Sequence, residues 1–92
     1  VPYIKQEDRK DLDPLVHALI IRLKDRPIGA LNYVISKLIW TLFEQCKSYT
    51  RGNALVGCLE CIKNEFVRRK LNPYEEKKIQ ENGDVKIEQE LY

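Results

Sequence analysis

Residues 30–46 read ALNYVISKLIWTLFEQC, and this stretch decides the fold. Leu31, Val34, Ile35, Leu38, Ile39 and Leu42 recur at the 3.6-residue period of an α-helix, so one broad apolar stripe predicts a helix from about Ala30 to Cys46. Tyr33 and Trp40, seven residues apart, lie opposite Leu31, Val34, Leu38 and Leu42, with Phe43 beside them. The helix is apolar on two faces. Such a helix is either central in its bundle or covered by a partner, because a chain of this size has little material to cover both faces from within.

On the N-terminal side, Asp13 followed by Pro14 reads as an N-cap and a first helical residue, opening a helix over about 14–24. Leu12, Leu15, Val16, Leu19 and Leu23 supply its apolar face, and Asp25, Arg26, Pro27 and Gly29 break the pattern. Gln6 to Asp11 reads as an extra turn upstream. On the C-terminal side, Lys47 to Gly52 reads as a connection, followed by a third helix to about Leu71 with Leu55, Cys58, Leu59, Ile62 and Phe66 inward. Asn72 precedes Pro73, which disfavours the helical conformation in the residue before it. With Glu75, Asn72 makes a capping pair from which a fourth helix restarts and runs to Asn82 and Gly83, a left-handed terminus. Val85, Ile87, Gln89 and Leu91 then alternate with charged residues, so this end, like Tyr3 and Ile4, reads as extended; a small ribbon within or between chains would pair them.

The expected fold class is all-α: a three to four helix bundle with short extended termini, forming a single domain over 1–92. Its core spans about 12–83, and 84–92 is an acidic C-terminal tail. With 92 residues, 43% hydrophobic and 33% charged, the composition is that of an ordinary globular domain. No apolar run approaches the roughly 20 residues of a membrane span, and the polar start lacks the apolar centre of a secretory signal. The three cysteines, Cys46, Cys58 and Cys61, are odd in number and lie in helical patterns, which favours a reducing, cytoplasmic setting over a disulfide framework. The chain contains no methionine, so Val1 is not expected to be the translation start. A net charge of +2 does not by itself argue for a polyanion partner, yet it is uneven: residues 1–74 carry excess base and residues 75–92 excess acid.

Three segments carry a family resemblance: Leu31-Asn32-Tyr33-Val34-Ile35; Gly57-Cys58-Leu59-Glu60-Cys61; and Pro73-Tyr74-Glu75-Glu76-Lys77-Lys78-Ile79 leading to Asn82-Gly83-Asp84-Val85. Through them the chain resembles, over most of residues 2–85, a family of short, uncharacterised prokaryotic and phage-associated helical proteins. The resemblance implies a helical fold and brings no activity to any residue. The residues after Val85 extend beyond the family pattern.

Catalytic and metal chemistry find little support. Cys58 and Cys61 share a helix face and could supply half of a tetrahedral thiolate site, but no second close pair completes it, so buried packing cysteines and no metal are expected. A redox pair would need the N-terminus of a helix, and these cysteines are mid-helix. His17 is the only histidine, with no nucleophile near it in sequence. A metal-dependent hydrolase of the helical pyrophosphatase kind needs carboxylates one turn apart. Glu60 and Glu65 are instead five apart and point about 140° away from each other at ~100° per residue. Dispersed glycines make no phosphate loop. The expectation is a non-enzyme without cofactors.

Two surfaces remain. Lys63, Arg68, Arg69 and Lys70 form the densest basic run and could meet a nucleic-acid backbone, although basic residues also suit the last turn of a helix and consecutive positions fan around its axis. Tyr33, Trp40 and Phe43, joined by Ile21 opposite the stripe of the first helix, form the other. Two-fold dimers are the commonest oligomers, and aromatic anchors are enriched at interface centres. The leading expectation is therefore a homodimeric interaction or accessory module with a protein partner of unspecified identity. A nucleic-acid-associated protein is the alternative, and a metal-dependent hydrolase the remote one.

Overall fold

The computed structural model describes residues 2–88. It is all-α, within the bundle class that the periodicity predicts, and no strand occurs among the described residues. A 3₁₀ turn, Gln6–Arg9, precedes α1 (Asp13–Leu23), α2 (Ile28–Glu44) and α3 (Tyr49–Phe66); a π turn, Val67–Leu71, then leads directly into α4 (Asn72–Asn82). The chain divides into two units, Val1–Leu59 and Glu60–Tyr92.

In the first unit, α1 begins differently from the expected cap. Leu12, not Asp13, occupies the cap position, in helical geometry (φ −83°, ψ −38°) and without a side-chain cap bond. The turn before it already supplies helical backbone: Leu12 N–H donates to the Arg9 carbonyl at 3.1 Å, and Val16 N–H to the Leu12 carbonyl at 3.0 Å. Asp13 thus becomes a first-turn residue, where its charge still faces the positive end of the helix. The expected extra turn upstream is the 3₁₀ segment. α1 closes with Lys24 N–H on the Ile20 carbonyl at 3.0 Å, and Pro27, extended at ψ 155°, starts α2 one turn later.

Between α2 and α3 the connection is shorter than expected. Ser48 Oγ accepts the Arg51 N–H at 3.0 Å, and Gly52 N–H reaches the Ser48 carbonyl at 2.9 Å. Ser48 is therefore an N-cap, and Gly52 sits inside the first turn of α3, not in a loop. Its missing side chain is used: a Cβ there would meet Phe43 Cε1 at 3.4 Å, so the ring of α2 lies against bare backbone of α3. Val34, Ile39, Phe43 and Leu55 are half-buried, whereas Leu31, Leu38 and Leu42 of the predicted inner stripe are exposed. No described side chain is fully buried.

In the second unit the expected stop at Asn72 is absent. Asn72 is helical (φ −60°, ψ −47°), makes no side-chain cap, and donates its N–H to the Val67 carbonyl, five residues back. Pro73 lacks a donor and its ring collides with the carbonyl four residues earlier in a regular α-helix; a widened turn relieves both problems without ending the helix. α4 ends at Gly83, whose N–H bonds the Ile79 carbonyl at 2.8 Å. Its φ of +88° suits glycine as expected, but ψ of 152° makes it an extended glycine-only conformation and not the left-handed helical one. Val85 to Glu88 belong to no element, and no ribbon with Tyr3 and Ile4 occurs among the described residues. Gln89 and Leu91 of the predicted alternation lie outside them.

Candidate functional site

α2 carries the site because its aromatic face is left open. Trp40 is 72% and Tyr33 63% exposed, while the second apolar face of the same helix is also open to solvent at Leu31, Leu38 and Leu42. Trp40 stands as a ridge between two grooves. On one side, a groove of about 530 Å³ runs over Ile39, Phe43, Gly52, Leu55 and Val56, where α2 meets the start of α3. On the other, a groove of about 500 Å³ follows α2 itself over Gly29, Tyr33, Ser36 and Lys37.

Helical spacing explains the second groove. Gly29, Tyr33, Ser36 and Trp40 recur at intervals of four, three and four residues, so two small side chains make a floor beside two large ones. Ser36 Oγ donates to Asn32 Oδ1 at 3.1 Å, which satisfies part of the polar floor within the helix. Lys37 Nζ lies 5.8 Å from the Tyr33 ring centroid and leaves its charge at the rim. Of the four residues predicted for this surface, Tyr33 and Trp40 share one groove, and Trp40 and Phe43 the other. Ile21, on α1, lines neither groove and is 53% exposed. Sequence reasoning missed Gly52 and the Gly29–Ser36 floor; the signals were the Ser48 cap, which draws Gly52 into the helix, and the seven-residue spacing of the small residues.

The basic run lies in and before the π turn. Arg68 makes a two-oxygen pair with Glu65, Nη2 to Oε2 at 2.9 Å, and Lys63 pairs with Glu60 at 2.9 Å. Arg69 and Lys70 follow Arg68 directly in the widened turn. Lys63 and Arg68 are thus already engaged with carboxylates of α3.

The cysteines correct an expectation. Cys58 and Cys61, expected to be buried in packing, are free and exposed on α3, on a different side from the half-buried Gly52 and Leu55, and Cys46, in the connection after α2, is free and exposed as well. Cys58 and Cys61 remain a two-thiol set, and among the described residues no group of three or more histidine, cysteine or acidic side chains is placed to hold a metal ion. His17 is exposed on α1. No helix among the described residues is long and apolar enough to cross a membrane.

A family model described as a domain of unknown function, DUF6899, matches residues 1–85. The chain belongs to this family. The DUF6899 match takes in both grooves and the helices that build them, and residues 86–92 lie beyond it. No curated protein and no solved structure matches the chain.

Proposed function

We propose that this DUF6899 protein is a non-enzymatic, homodimeric interaction module of the cytoplasm, whose contact surface is the Tyr33–Trp40 face of α2. The observation that carries this reading is the exposure of Trp40 on a ridge between two grooves of its own helix and its neighbour. A large ring offers about 150–250 Å² to burial, and at about 25 cal/mol per Å² covering two of them favours association by several kcal/mol before the costs of immobilisation. Tyr33 and Trp40 flank a floor of small residues, a pattern that accepts a second helix closely, and a two-fold pair would use the same face twice. The cytoplasmic setting is supported by three free, exposed cysteines in an odd number.

The test is the Trp40→Glu variant, which places a charge where the interface excludes water. Wild-type protein is expected to sediment as a dimer at micromolar concentration and the variant as a monomer with its far-UV circular dichroism retained. A wild-type chain that stays monomeric at high micromolar concentration overturns the reading.

A further inference from the structure

A third cleft, of about 510 Å³, lies where α1 turns into α2 and is lined by Ile20, Leu23, Lys24, Arg26, Ile28 and Leu31. Its walls are aliphatic, and Ile28 at its edge is 79% exposed. Its charged groups are two cations. No ion pair or side-chain hydrogen bond engages Lys24 or Arg26 among the described residues, and Asp25, between them, is the one acid in the turn. An apolar slot with two uncompensated cations at its mouth fits a ligand that is apolar on one side and anionic on the other.

The C-terminal end of the chain has this character. Residues 84–92 carry Asp84, Glu88 and Glu90 against a single lysine, Lys86, and Val85 and Ile87 are two apart. In extended backbone those two side chains fall on one side, about 6.8 Å apart, with charged neighbours between and beyond them. Val85 is 89% exposed, and Val85 and Ile87 both belong to a stretch outside any helix. An extended segment of this kind docks with its aliphatic side chains in the slot and its carboxylates at the cations.

We propose that the cleft of Lys24 and Arg26 is a docking site for the acidic, aliphatic segment 84–92 of a second copy of this chain. The assignment to a second copy rests on the self-association proposed above. It adds to that interface a pair of reciprocal arms, each reaching the α1–α2 turn of the other subunit.

The test uses full-length chains, one batch natural and one ¹⁵N-labelled, mixed in equal amounts and treated with a carbodiimide that joins carboxylates to amines at contact distance. Peptides linking Lys24 to Asp84 or Glu88 are expected with one label from each batch, and their yield should fall severalfold in about 0.5 M salt, where exposed charges are screened. Lys24 links in which both peptides always carry the same label overturn the assignment to a second copy. A chain that sediments as a dimer but yields no such links overturns this docking site and leaves the α2 interface standing; a chain that sediments as a monomer overturns both. As a second measurement, Lys24→Glu with Arg26→Glu and, separately, Asp84→Lys with Glu88→Lys should each lose the contact. Mixing the two variants should restore association to near the wild-type level, since each then presents a segment of opposite charge to the other's cleft. Failure of the mixture to recover overturns the charge pairing.

Discussion

Phe43 of α2 rests against Gly52 of α3 so closely that a Cβ on the glycine would meet its ring carbon Cε1 at 3.4 Å. This distance is ordinary van der Waals contact for one methyl group and too short for anything longer. Gly52→Ala should therefore be tolerated and, by its better helix propensity, stabilise the chain by about 0.5–1 kcal/mol. Gly52→Leu has to displace the Phe43 ring and should destabilise by about 1–3 kcal/mol. Urea unfolding followed by circular dichroism separates the two signs.

The cap of α3 can be tested in the same way. Ser48 Oγ satisfies the Arg51 N–H at 3.0 Å, one of the donors that a helix start leaves without an intrahelical partner. Ser48→Ala should cost about 1 kcal/mol, and Ser48→Asp should recover most of it, because aspartate caps equally well and adds favourable charge at the N-terminus. Equal stability of wild type and Ser48→Ala in urea would contradict the assigned cap.

The π turn before Pro73 accommodates a residue that can neither donate nor fit a regular helix. Pro73→Ala restores the donor and removes the ring clash, so the helix should gain about 1 kcal/mol or more, within the ~3 kcal/mol that separates the two residues in a helix interior. The gain should appear as a higher midpoint in thermal melts read at 222 nm. Slower amide exchange over residues 67–73 should accompany it.

Within the proposed interface, the two grooves rank the residues. Trp40→Ala and Tyr33→Ala should each weaken association by about tenfold or more, equivalent to roughly 1.4 kcal/mol. Ile21→Ala, on α1 and outside both grooves, should change it by less than about threefold. Sedimentation equilibrium over a range of concentrations measures all three; an Ile21 effect as large as that of Trp40 would move the interface onto α1.

The local elements were legible in the sequence because their causes are local. The 3.6-residue recurrence of Leu31, Val34, Leu38 and Leu42 places α2 within two residues of its ends, and the same period places α1, while Gly83 marks the close of α4 by the positive φ that it alone bears easily. What stood opposite each apolar face was not legible. Periodicity shows that a helix has two apolar sides, but burial is non-directional, and nothing in the spacing of residues 30–46 says which side meets a neighbour. Tertiary structure decided that Phe43 turns to Gly52 while Tyr33 and Trp40 stay open, because the path of the chain sets the Phe43 ring against a point of α3 where no side chain longer than a methyl group fits. It also decided that the chain passes through Pro73 without stopping: the widening of one turn is a response of the backbone over several residues, which no single residue's preference encodes.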